Sequence, residues 1–179
     1  MPEDMEDAIE IEDHDPRWKE MYSEERDLLQ RTLGTLALEI HHVGSTAVPD
    51  LAAKPIVDIL VATRDISLVE VFCQILEPLG FQYVPQDDTG RLFFRKGAPR
   101  THHLHIVRTG TWAYWRHIWF RDYLRDHAIT SEEYECLKRV LASRYRLDRE
   151  AYLRGKGPLI EMILKRAVME RLLLATLCD

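Results

Sequence analysis

From Ile56 to Ala62 the chain reads Ile-Val-Asp-Ile-Leu-Val-Ala, an apolar run rich in β-branched residues and broken by a single charge, Asp58. A run of this kind predicts a central strand covered on both faces. A carboxylate inside such a strand needs a partner or a task, because burying an unpaired charge is very costly. Upstream, Leu36, Leu38, Ile40 and His42 alternate with Ala37, Glu39 and His41, which predicts a second strand ending at Gly44. Twelve residues separate Ser45 from Asp58. Glycine lets a backbone approach an anion closely, Ser45 and Thr46 add hydroxyls, and a helix starting just beyond would aim free N–H groups at a phosphate. Taken alone, a Gly-Ser pair at a strand end is commonly a plain turn.

The remaining periodicities predict an α/β (α+β) chain with a mixed sheet in front and helices behind. Asp15-Pro16 supplies a cap and a first-turn proline for a helix carrying Trp18, Met21, Tyr22, Leu28, Leu29 and Leu33 up to Gly34. Asp65 caps a second helix whose Leu68, Phe72, Ile75, Leu76 and Leu79 share a face up to Gly80. Short strands follow at Phe81–Val84 and Arg91–Arg95 around the turn Asp87-Asp88-Thr89-Gly90, then a longer one from Thr101 to Val107. From Thr111 onward the pattern is helical. It gives Trp112 to His127, Glu132 to Tyr145 behind a Thr130-x-x-Glu133 capping box, and Leu159 to about Leu177. Gly155-Lys156-Gly157-Pro158 lacks the spacing of a P-loop and reads as a linker opening the last helix.

With 179 residues and no Pro/Gly/Ser-rich linker, one domain is expected over 1–179, flexible in roughly its first ten residues. The net charge of −6 removes the general attraction to phosphate backbones, so bulk nucleic-acid binding is not expected. The acidic amino terminus differs from a secretory signal, and no run is long enough to cross a bilayer. Cys73, Cys136 and Cys178 are odd in number with no C-x-x-C spacing, which suits a reducing compartment, the cytoplasm by default.

The Gly44-Ser45 turn followed by Asp58 on a strand resembles the opening signature of the polymerase-β-type nucleotidyltransferase superfamily. Members normally carry a second carboxylate two residues after the first, and that position is Leu60. Two-metal catalysis needs several anionic ligands, so the substitution weakens the expectation of catalysis more than that of fold. A narrower resemblance runs along the chain in six ordered blocks. Asp15-Pro16-x-Trp18, His42 to Ile59, Phe93-Phe94-Arg95-Lys96-Gly97, Arg100-Thr101-His102-His103-Leu104-His105, Phe120 to Arg125 and Tyr134-x-x-Leu137-Lys138 are similar to the GrpB family. That resemblance implies a nucleotidyltransferase-like fold and a nucleotide or phosphorylated small molecule as ligand. It implies Gly44, Ser45 and Thr46 at the phosphate, Asp58 on the metal side, and Lys54 as a positive charge between them. Lys54 is otherwise a solvated loop lysine.

In the superfamily a third carboxylate comes from a later strand, and the resemblance puts His103 and His105 there, giving an Asp58, His103 and His105 metal site. Such a mixed set suits Zn²⁺, Mn²⁺ or Fe²⁺ better than Mg²⁺. The alternative is a pair of partly buried histidines satisfied by Asp58 and backbone. Arg95 and Lys96, with Arg121 on a helix face shared with His117 and Arg125, form a basic group able to hold an acidic ligand tail. The other reading is a set of solvated charges paired with neighbouring acids. Trp112, Trp115 and Trp119 are expected to pack onto the sheet, and the leucines at 172–174 and 177 within the chain, with a dimer contact as the alternative. Three functions follow: a metal-dependent nucleotidyltransferase-like enzyme, a non-catalytic nucleotide or phosphometabolite binder, or a hydrolase with an Asp/His/His metal. A monomer or a homodimer suits any of them.

Overall fold

The structure is a computed structural model that describes residues 8–86 and 90–177. The expected turn at Asp87–Thr89, residues 1–7 and Cys178 lie outside the described residues. The acidic side chain of Asp15 accepts the Arg17 N–H at 2.9 Å and starts the first helix, α1 (Arg17–Leu33), which a 3-10 turn at Gly34–Leu36 ends. Five strands follow: β1 (Glu39–Val43), β2 (Val57–Thr63), β3 (Phe81–Tyr83), β4 (Arg91–Lys96) and β5 (His102–Arg108). Between β2 and β3 runs α2 (Val69–Leu76), and α3 (Trp112–Asp126), α4 (Ala128–Arg144) and α5 (Arg149–Leu177) complete the chain.

The sheet order is β1-β2-β5-β4-β3, with β2 and β5 parallel and the other neighbours antiparallel, so the expected mixed sheet is present. Period two then divides each strand between two layers. Val57, Ile59, Val61, Leu104 and Ile106 face α1 and α2 in a core completed by Phe72, Leu76, Phe81 and Phe94. Leu60, Ala62 and Val107 face the other way, onto Tyr114 and Ile118 of α3. Asp58 shares that second face. Its register partners are Val43 on β1 and His103 on β5, which puts the carboxylate at the strand end where the Gly44 turn begins.

Four local expectations are corrected. The last helix begins at Arg149, so Gly155-Lys156-Gly157-Pro158 is helix and not linker. A Cβ on Gly155 would stand 2.6 Å from Leu141 Cδ2, so the glycine permits close approach of α5 to α4. Helix α4 starts at Ala128 with no side-chain cap, and Thr130 is buried inside it rather than capping it. Trp112 and Trp115 are exposed, Trp115 stacked on Trp119 and Trp112 edge-on to it, because Tyr114 and Ile118 take the sheet-facing positions. Leu172, Leu173, Leu174 and Leu177 are also exposed instead of packed within the chain. Among the described residues no helix is long and apolar enough to cross a membrane.

Candidate functional site

Gly44 is the residue on which the site turns. Its φ of 71° lies in the left-handed region, which Cβ-bearing residues avoid. A Cβ there would also lie 2.4 Å from Asp58 Oδ2 and 3.0 Å from Asp58 Cβ. The chain then makes a 3-10 turn at Ser45–Ala47, whose Thr46 hydroxyl meets His42 Nε2 at 3.0 Å. His42 stacks on Tyr22 at 4.6 Å, and burial pushes its pKa down to about 4, so the ring is neutral. Two arginines of the predicted basic stripe clamp this segment from α3. Arg121 donates to the His42 carbonyl at 3.0 Å and to Asp122 at 2.8 Å, and Arg125 donates to the Ala47 carbonyl at 2.6 Å. Arg121 thus acts as a backbone clamp on the turn.

Asp58 Oδ1 lies 3.1 Å from His103 Nδ1 and 3.3 Å from His105 Nε2. On the far side of His105, Nδ1 meets Arg91 Nη1 at 3.2 Å. A guanidinium only donates, so His105 Nδ1 accepts and its proton stands on Nε2, pointed at Asp58. Burial pushes the His105 pKa down despite the carboxylate, which keeps the ring neutral. Burial alone would raise the Asp58 carboxyl, but the hydrogen bonds from His103 and His105 outweigh it and hold Asp58 well below the usual carboxylate range. The three residues meet across the sheet, as the sequence reading anticipated, but as a hydrogen-bonded anion and not as a cation shell. With its Nε2 lone pair occupied by a proton, His105 does not fit the metal role assigned to it. Among the described residues, no group of three or more His, Cys, Asp or Glu side chains is placed to hold a metal ion.

This arrangement predicts how Asp58→Asn behaves. A carboxylate whose pKa is lowered on folding adds stability above its unfolded pKa of 3.8, and loses it as pH falls below that value. Replacing it leaves two imidazole donors facing a weaker acceptor, at a cost of about 2 kcal/mol at neutral pH. Thermal melts across the acid range are expected to show a lower melting temperature at neutral pH and a gap that narrows in acid.

Around the exposed side of Asp58, 28 % of whose side chain reaches solvent, the chain builds a small pocket of about 70 Å³. Ser45, Thr46, Lys54, Asp58 and His103 line it, and so do Lys138, Tyr152 and Lys156 from α4 and α5. Lys138 is 2 % exposed, donates to the Ala52 carbonyl and lies 4.9 Å from the centre of the Tyr134 ring. Burial, reinforced by Lys156, pushes its pKa down to about 7. Lys156 stands 4.4 Å from the centre of the Tyr152 ring, and burial together with Lys54 pushes its pKa down to about 8. Tyr134 hydrogen-bonds Ser45, fixing the turn to α4.

Of the basic residues expected in the site, Lys54 is therefore present and Lys96 is not. Lys96 sits on the α1 face of β4, where its ammonium meets Glu25 at 2.6 Å. Arg95 shares the Asp58 face but lies over Phe93, 5.6 Å from its ring centre, outside the pocket. Sequence reasoning missed Lys138, Tyr152 and Lys156. Lys138 stood in the last resembling block, and Lys156 in the segment set aside as a linker.

Known proteins resemble this chain over most of its length. A protein named UPF0157 protein YqkA from Bacillus subtilis (strain 168) is 38% identical over 157 residues, covering 86% of this chain and 45% of its own length. The chain thus spans less than half of that relative. The crystal structure of conserved protein GrpB from Enterococcus faecalis superposes with a TM-score of 0.84 at 35% identity, covering 90% of this chain and 99% of that one. A Cid1 poly(U) polymerase structure shares the nucleotidyltransferase fold more distantly, with a TM-score of 0.54 at 16% identity over 81% of this chain and 49% of that one. The family model described as GrpB protein matches residues 8–166, and with that match over most of its length the chain belongs to the GrpB family.

Proposed function

We propose that the pocket beside Asp58 binds the phosphate of a nucleotide or of another phosphorylated small molecule. The observation that carries this reading is the convergence of Lys54, Lys138 and Lys156 on the Ser45-Thr46 turn in a protein of net charge −6. Burial and neighbouring lysines hold two of these ammonium groups with lowered pKa values, a state that a bound anion would relieve. A volume of about 70 Å³ suits one phosphoryl group rather than a nucleoside. The superfamily fold supports the same ligand class, since a Cid1 poly(U) polymerase that shares it has Mg 3'-dATP bound.

Binding is favoured over two-metal nucleotidyl transfer because Leu60, fully buried, occupies the place of the second carboxylate. Transfer or hydrolysis of the phosphate is the second reading, and one observation favours it. Asp58 holds His103 through Nδ1 and leaves Nε2, buried, without a partner, the orientation in which an imidazole serves as a base. In either case any Mg²⁺, Mn²⁺ or Zn²⁺ would enter with the ligand's phosphate on Asp58. Cys73 and Cys136 are free thiols, which suits the cytoplasm.

Thermal-shift titration with inorganic phosphate, sulfate and ATP, in EDTA and with each of these metals, tests the proposal. Phosphate and ATP are expected to raise the melting temperature in EDTA. A rise seen only with metal would shift the assignment to a metal centre on Asp58. No rise with any anion overturns the proposal, and turnover of a phosphoester lost in His103→Gln would establish the second reading.

A further inference from the structure

The carboxyl end of α5 stands clear of the body. Every residue from 169 to 177 is exposed, and Met169, Leu172, Leu173, Leu174 and Leu177 are each 57 % to 82 % exposed. From Leu172 to Leu177 the helix carries no charge. A helix apolar around its circumference is ordinarily a buried one. A projecting end of about two and a half turns is also too short to stay helical in water without packing.

Beside this end the same helix walls an open apolar groove of about 470 Å³. Leu164, Val168 and Met169 of α5 line it together with Trp112 of α3, and Glu161 and Lys165 contribute one charge of each sign. Trp112, 54 % exposed, and Trp115, 37 % exposed, both contact the Trp119 ring, so the carbon surface continues along α3.

Groove and tail match in length and in chemistry. Residues 161–169 flank the groove and residues 169–177 project, so each stretch spans about 12 Å of helix. The chain cannot fill its own groove, because the two stretches are consecutive parts of one continuous helix. A second copy brings the matching tail. Self-complementary surfaces of this kind close into a two-fold dimer, and an axis beside Met169 lays each tail antiparallel along the other copy's groove. The exposed fractions of the two tryptophans, Met169 and the four leucines amount to on the order of 800 Å² per copy, the share each partner gives to a stable interface.

We propose that this face of α3 and α5 is the interface of a homodimer, in which the α5 end of each copy occupies the groove beside Trp112 of the other. The interface stands apart from the phosphate pocket, with which the groove shares no lining residue.

Analytical ultracentrifugation of the full chain, from about 1 to about 100 μM, is expected to show a dimer and no larger species. Leu172→Ala combined with Leu173→Ala replaces exposed side chains with the best helix former. It is expected to raise the dissociation constant by about a hundredfold without lowering the melting temperature of the diluted, monomeric chain. Trp112→Ala, on the groove side, is expected to weaken association by about tenfold or more. A parent that stays monomeric across that range, a dimer indifferent to both changes, or a ladder of larger oligomers overturns the proposal. A monomeric parent that instead floats with vesicles of phosphatidylcholine and phosphatidylglycerol also overturns it, and assigns the leucines to a lipid surface.

Discussion

Gly44→Ala is expected to destabilise the protein by about 3 kcal/mol, a fall of roughly 10 °C in melting temperature for a chain of this size. Two penalties combine. Alanine at φ 71° must adopt the left-handed conformation, which costs on the order of 1 kcal/mol for a residue with a Cβ. The new methyl also lands 2.4 Å from Asp58 Oδ2. Asp58 has little room to yield, because its other oxygen holds both His103 and His105, and His105 is in turn fixed by Arg91. A double-mutant cycle separates the two penalties. In an Asp58→Ala background the overlap with the carboxylate disappears, while the backbone strain and the 3.0 Å approach to the residue-58 Cβ remain, so Gly44→Ala should cost less there, about 1–2 kcal/mol. A Gly44→Ala protein that melts within a degree or two of the parent would show that the turn and the carboxylate are not in the close contact described.

The second large effect is expected at Lys156. Its pKa is pushed down to about 8 and that of Lys138 to about 7, so both lose charge within the neutral range, and an anion between them restores it. Anion binding therefore takes up protons. Sulfate is a useful probe because its own charge is constant across this range. Its affinity is expected to rise as pH falls from about 9 to about 6, with a slope in log affinity between one and two per pH unit near the two pKa values. Lys156→Met removes one of the two protons. It should weaken sulfate at pH about 7 by roughly ten- to a hundredfold, the worth of one charge-assisted hydrogen bond, and reduce the slope to about one.

The same substitution should affect stability in the opposite direction. A lysine whose pKa is lowered on folding binds its proton less well in the folded state than in the unfolded one, where the value is about 10.5. Between about pH 8 and about pH 10.5 the unfolded chain thus holds the extra proton, and stability rises with pH. Lys156→Met abolishes that rise and makes the protein more stable at neutral pH. Tighter folding together with weaker anion binding is the signature of a residue kept for its ligand. If the variant lost both stability and binding, Lys156 would be a packing residue instead.

How much of this was readable in advance depended on the range of the interactions involved. The strand with Asp58, the Gly44 turn and the partnership of Asp58 with His103 and His105 all announced themselves, because alternation along β2 and β5 dictates which side chains share a face. Lys96 and Arg121 did not. On β4, Lys96 is one position out of phase with Arg95 and so points to α1 and Glu25. The Arg121 guanidinium spends its donors on the His42 carbonyl and Asp122. Lys156 was hidden by its flanking Gly155, Gly157 and Pro158, residues that usually break a helix. In α5 they persist because Gly155 fits against Leu141 and packing outweighs propensity.

By itself the amino-acid sequence determined the element types, the layered α/β architecture, the family and the Gly44-to-Asp58 framework, since those follow from local periodicity and from residue types tied to backbone geometry. Only the tertiary structure decided that Asp58 is held as an anion by hydrogen bonds from two imidazoles. It also decided that Lys138 and Lys156, at least 92 residues beyond the turn in sequence, arrive from α4 and α5 to join Lys54 over Ser45 and Thr46. Both outcomes depend on desolvation and on which nitrogen donates to which oxygen, and those are properties of what the folded chain brings together rather than of any stretch of it.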